Sequence, residues 1–225
     1  MKKYFAIVLA CILLLNTLPL GASATEADQE GYDSLVRKAS IAFPEHADKM
    51  NNPEGLASAY SRNGEPREVL IKDTRAVSEK EFVTYTEYSD GLILLSGYEF
   101  TADSEATSNV QGATSRDITI DIEATCVNDT PYKGYFYLEG VSYSLKYSDY
   151  DCITNTGTAS STGYCTKATR FLYNKTETDT SYAELGYELH FQIGPTGYHT
   201  VDSVLILWVG EDTAVLEHID HNDYV

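Results

Sequence analysis

AELGYELHFQIGPTGYHTVDSVLILWVG, residues 183–210, is the stretch whose reading decides the fold. In its first arm Ala183, Leu185, Tyr187, Leu189, Phe191 and Ile193 alternate with Glu184, Gly186, Glu188, His190 and Gln192. A two-residue apolar period marks a strand with one buried face. The second arm, VLILWVG (204–210), is apolar on both sides, as expected of a central strand covered on both faces. GPTGY (194–198) supplies the turn between them. With Ile193 opposite His199, Val201, Leu205, Leu207 and Val209 join the apolar side of the first arm. A slip of one residue sends them all to the wrong face, so the pattern selects the register. That register also sets His190 opposite Asp202 on the more polar face.

The same period recurs upstream. DITIDIEATC (117–126) puts Ile118, Ile120, Ile122, Ala124 and Cys126 on one face and Asp117, Thr119, Asp121, Glu123 and Thr125 on a wet one. In VSYSLKYS (141–148), Val141, Tyr143, Leu145 and Tyr147 point one way. EFVTYTEYSDGLILLSGYEF (81–100) reads as two strands joined at Asp90-Gly91, a pair that tolerates positive φ. Eight to ten short strands without alternating helices predict a mainly β chain, an antiparallel β-sandwich or barrel-like domain. VLILWVG makes Trp208 a core residue on this reading.

Ahead of the strands lies one helical pattern, residues 30–50. Tyr32, Leu35, Val36, Ala39 and Phe43 form an apolar stripe that Arg37 and Lys38 face away from, and Pro44 ends or kinks it. This N-terminal amphipathic helix is expected to pack on the β domain. NNPEGLASAYSRNGEPR (51–67) reads as a linker. Before the helix, Lys2 and Lys3, the apolar run Tyr4–Leu15 and Ala22-Ser23-Ala24 have the form of an export signal cleaved after Ala24. The run is shorter than a membrane span requires. The expected organisation is therefore a signal peptide at 1–24, a helical segment and linker at 25–67, and an antiparallel β domain at 68–225. The expected location is extracellular, with no stable membrane anchor in the mature chain.

Removing Lys2 and Lys3 with the leader takes the net charge from −18 to −20. Such a chain repels phosphate backbones and anionic lipid surfaces, which excludes nucleic acid and argues against direct membrane binding. The partner is expected to be an extracellular protein or glycan. Eighteen tyrosines raise the alternative of a glycan-binding sandwich, although Tyr also suits a pleated, half-exposed surface.

Of the four cysteines, Cys11 leaves with the signal and Cys126 lies on an apolar strand face. Cys152 and Cys165 bracket ITNTGTASSTGY. If that run is the connection of a hairpin, the two thiols face each other and form a disulfide, whose Cα atoms need to lie roughly 5.5 Å apart. No C-x-x-C pair suggests zinc, and EHIDHND (217–223) reads as a solvated acidic tail, so no metal and no cofactor are implied.

Gly163-Tyr164-Cys165, then His190, then Asp202, resembles the order found in transglutaminase-like cysteine enzymes. The resemblance implies Cys165 thiolate as nucleophile, His190 as base and Asp202 as its orienter, for acyl transfer or amide hydrolysis. A Cys152–Cys165 disulfide removes that thiolate. The signal, FPEHADKM (43–50) and TRAVSEKEFVTYTEYSDG (74–91) also resemble small exported proteins of Gram-positive bacteria, a likeness that implies export and no particular activity. The leading expectation is a non-enzymatic binding protein, with the Cys165-His190-Asp202 enzyme as the alternative.

Overall fold

The computed structural model describes residues 26–53, 66–103, 107–108, 114–127, 132–147, 149–194 and 199–224. The expected signal segment and most of the expected linker lie outside these residues. Helix α1 (Glu26–Ala42) ends where Phe43, next to a proline, leaves the helical backbone conformation (φ −125°, ψ 67°). A 3₁₀ turn, Pro44–His46, and a short helix α2, Ala47–Asn51, follow. Among the described residues eleven strands come after: β1 (Val69–Ala76), β2 (Glu81–Tyr88), β3 (Ile93–Asp103), β4 (Thr107–Ser108), β5 (Thr114–Val127), β6 (Gly134–Lys146), β7 (Cys152–Gly163), β8 (Cys165–Asn174), β9 (Ala183–Ile193), β10 (His199–Gly210) and β11 (Thr213–Asp220).

They form two antiparallel sheets that do not close into a barrel. The larger runs β1-β2-β3-β5-β6-β7, with β4 added beside β5, and the smaller runs β11-β10-β9-β8. The β9–β10 register is the one the apolar pattern selects: His199 opposite Ile193, and Asp202 opposite His190. Asp90-Gly91 is the β2–β3 turn, with Gly91 at φ +86°.

Two apolar layers hold the sheets. Between them, Ile118, Ile120, Ile122, Ala124 and Cys126 of β5 meet Leu185, Leu189, Phe191, Val201, Leu205 and Leu207 of the small sheet. On the outer side of the large sheet, the α1 stripe Tyr32, Leu35, Val36, Ala39 and Phe43 packs on Val83, Tyr85, Ile93, Leu95 and Val127. The molecule is thus a helix laid on a two-sheet sandwich.

Three expectations change here. The polar face of β5 is not fully wet, because α1 covers part of it and buries Glu123 and Thr125. Lys38 does not face away from the sheet; its Nζ lies 2.6 Å from Glu81 and 2.9 Å from Glu123, and its long stem reaches past the stripe. Trp208, opposite Glu184 and Val215, is half-buried on the outer side of the small sheet rather than in the core. On that side the outer edge of the Phe171 ring lies against Gly186, where a Cβ would sit 1.9 Å from it.

EHIDHND is also ordered rather than a solvated tail. β11 carries it back over the sandwich, leaving His218 and Asp220 each 1% exposed. His218 Nδ1–H donates to the Leu95 carbonyl of the opposite sheet (3.1 Å), so its Nε2 accepts from Ser203 Oγ (2.9 Å). Arg67, just before β1, pairs with Asp220 at the end of β11 and with Asp90 at 2.8 Å.

Burial depresses the His218 pKa to about 4. An unfolded His titrates near 6.5, so the unfolded chain binds the extra proton first as pH falls. The stabilising contribution is present above about pH 6.5 and is lost towards about pH 4, a loss of about 3 kcal/mol from this group. Denaturant midpoints across that range should fall for the natural protein, and this component should vanish in His218→Gln.

Candidate functional site

A cleft of about 790 Å³ lies at one end of the sandwich, where three connections meet. The β6–β7 connection brings Tyr147, Asp149 and Tyr150, the β8–β9 connection brings Glu177, Asp179 and Tyr182, and the β10–β11 turn brings Glu211 and Asp212. Tyr147 is 49%, Tyr150 43% and Tyr182 45% exposed, so three aromatic rings stand open to solvent here. Tyr147 was expected to continue the inward row of Val141, Tyr143 and Leu145. β6 stops at Lys146, and the ring turns out into the cleft instead.

Two carboxylates fix the walls. Asp151 is buried; its Oδ1 accepts the Lys146 N–H (2.6 Å) and its Oδ2 the Asp212 N–H (2.8 Å). Burial raises its pKa, and the two backbone donors counter that in part. Glu177 accepts the Asp151 N–H (3.1 Å) and the Glu211 N–H (2.9 Å). The residues of the β10–β11 turn, Glu211 and Asp212, both hold positive φ (53° and 57°), a conformation that residues other than Gly seldom adopt and that these bonds over-determine. All three connections are therefore tied together by side chains of their own, and the cleft is formed before any ligand arrives. Tyr150 donates to Asp179 Oδ1 at 2.6 Å, which raises the phenol pKa and keeps the hydroxyl protonated.

The residues singled out from the sequence lie elsewhere. ITNTGTASSTG, expected as a hairpin connection, is strand β7 itself, because Thr and Ser suit an extended backbone as readily as a turn. Cys152 therefore opens β7 and Cys165 lies just past its far end, on the order of 35 Å away at strand rise. The expected clasp is corrected: the three described cysteines, Cys126, Cys152 and Cys165, are free thiols.

His190 and Asp202 do meet, with Nδ1 2.7 Å from Oδ1. Cys165 does not join them. It lies opposite Phe191, and residues directly opposite one another share a face. Phe191 is in the core and His190 on the other side, so the small sheet stands between thiol and imidazole. Burial pushes the Cys165 thiol up to about 12, away from the thiolate a nucleophile needs. The transglutaminase-like arrangement is thus not assembled, and His190–Asp202 is a cross-strand pair on the surface.

Among the described residues no three His, Cys, Asp or Glu side chains are grouped to hold a metal ion, and no helix is long and apolar enough to cross a membrane. Fold and cleft define a helix-covered antiparallel β-sandwich with a preformed, tyrosine-lined recess. Compared with protein-family models, with curated proteins and with solved structures, the chain matches none of them.

Alkylation of the unreduced protein should reveal this arrangement of thiols. Denatured protein without reductant should take label at Cys126, Cys152 and Cys165. In the native state Cys152 should react first, while buried Cys126 and Cys165, both pushed up to about 12, stay protected. A peptide mass showing Cys152 joined to Cys165 would contradict the strand assignment of β7.

Proposed function

We propose that this chain is an exported, non-enzymatic binding protein that takes a glycan in the cleft at the end of the sandwich. The observation that carries this reading is the convergence of Tyr147, Tyr150 and Tyr182, from two separate connections, on one recess whose backbone is already fixed. A pyranose ring offers an apolar C–H face and a rim of hydroxyl donors. Exposed phenol rings suit the first, being flat, apolar and tipped with a polar group. Carboxylates such as Asp149, Asp179 and Asp212 suit the second, since an ionised carboxylate only accepts hydrogen bonds. Recognition in a preformed site avoids the cost of ordering loops on binding. The acidic surface keeps the recess clear of phosphate-rich polymers.

Export is part of the proposal and rests on the Lys2-Lys3, apolar and Ala22-Ser23-Ala24 pattern. Terminal sequencing of protein recovered from the medium of a Gram-positive host should begin at Thr25. An intact Met1 on soluble, recovered protein contradicts it.

A glycan array probed with the mature protein should retain it on a defined set of sugars. Tyr150→Ala and Tyr182→Ala should each weaken the best interaction roughly tenfold, the size of one lost aromatic contact of about 1.4 kcal/mol. Cys165→Ser and His190→Ala should leave it unchanged. An array with no retained glycan, or affinity indifferent to both tyrosines, overturns the reading.

A further inference from the structure

Apart from the two-residue β4 beside β5, four described strands end the two sheets: β1 and β7 in the large one, β8 and β11 in the small one. An open strand edge invites pairing with another chain, and proteins ordinarily guard it with charge or proline. β1 carries Lys72, Asp73 and Arg75, β8 carries Lys167 and Arg170, and β11 carries Glu217 and Asp220. β7, CITNTGTASSTG, has neither a charged residue nor a proline along its length.

The first half of β7 is tied down. Cys152 bridges to Thr176, and Thr156 Oγ1 accepts from Arg170 of β8 at 3.0 Å. Beyond Gly157, at φ +69°, the ladder pairs β7 with β6 alone. Thr158, Ala159, Ser160 and Ser161 are exposed in succession, on both faces of the sheet, so no described residue covers this stretch from either side. Its backbone phase follows from one bond. Tyr164 N–H donates to the Lys133 carbonyl at 3.0 Å, at the end of the β6–β7 ladder where Gly134 faces Gly163. Counting back, Thr162, Ser160 and Thr158 turn their backbone groups towards β6, and Gly163, Ser161 and Ala159 turn theirs to the open edge.

We propose that two copies of this chain join by antiparallel pairing of β7 over Thr158–Gly163, with Ser161 facing Ser161 of the second copy on the two-fold axis. A closed two-fold contact uses the same patch on both partners. In this register the outward groups of Ala159 meet those of Gly163, and those of Ser161 meet their own copy, so every outward donor finds an acceptor. On the flanks Ser160 stands opposite Thr162, a hydroxyl pairing that suits adjacent strands. Charge permits a second copy at this place. The chain carries a net −18, which opposes self-association, and this edge holds none of its acidic residues. Glu139, opposite Thr158 on β6, would lie about 20 Å along the strands from its copy. That separation exceeds the screening length of about 10 Å at moderate salt. The cleft lies at the other end of β7, so the pair would present two recesses to one polymer, a bivalent arrangement.

Sedimentation of the full exported protein over a concentration series tests this. The natural protein should run at twice the chain mass. Ser161→Pro deletes an outward N–H at an edge position that tolerates proline. Ala159→Lys installs the missing guard on an exposed residue and keeps the proposal testable if the proline variant does not fold. Each should run at half the mass of the natural protein, with unchanged circular dichroism and unchanged glycan binding to a monovalent sugar. A natural protein that stays monomeric throughout the series overturns the proposal, as does a dimer that persists in Ala159→Lys.

Discussion

One residue carries the chain from one sheet to the other, and the architecture depends on it. β7 ends at Gly163 in the large sheet and β8 begins at Cys165 in the small one, with Tyr164 alone between them. Its N–H is held by the Lys133 carbonyl on the large-sheet side, and its carbonyl accepts Gln192 N–H, at 2.8 Å, on the other. So tight a passage needs room. Gly134 provides it, since a Cβ there would stand 2.5 Å from the Cys165 nitrogen. Gly163, at φ +60°, provides the bend. Crossing at that corner leaves β7 and β8 as the last strands of separate sheets, sends the two cysteines to opposite ends, and places the connections that build the cleft at the far end.

What the sequence disclosed follows from where one face is buried and the other is not. β9 and β10 were readable to the residue because a slip exposes Leu205, Leu207 and Phe191 together. The helix stripe was readable for the same reason. β7 was not, because ITNTGTASSTG has no buried face to reveal a period: within the strand Ile153 is the single residue classed as buried. Without that period, composition pointed to a turn. The pairing of His190 with Asp202 was legible as register, but the face on which Cys165 falls depends on the bulge between Cys165 and Lys167. Tyr147, Tyr150 and Tyr182 lie far apart in sequence, and only the meeting of the β6–β7 and β8–β9 connections brings them together. The tyrosine count hinted at such a surface without locating it. The outward turn of Tyr147 depends on where β6 stops, which alternation alone does not mark.

Polar groups buried at the seams do what apolar packing does not: they select one arrangement of layers. Lys38 ties α1 to Glu81 and Glu123, His218 ties β11 to β3, and Asp151 ties two connections of the cleft. Each such group is costly unless its partners are in place, so a shifted helix or a slipped sheet would strand a charge or a donor in the interior. An apolar core tolerates small displacements, whereas these contacts do not.

The strand order has a kinetic consequence. Apart from the skip over short β4, hydrogen-bonded neighbours within each sheet are successive in the chain, so both sheets are meanders built from nearby segments. Early pairing therefore closes only short loops, which favours speed over what a crossed β topology allows. The contacts that seal the two meanders face to face span far more chain, 123 residues for Leu95–His218 and 153 for Arg67–Asp220. Loop-closure entropy therefore favours pairing within each meander ahead of the contacts of β11 that seal the two sheets together.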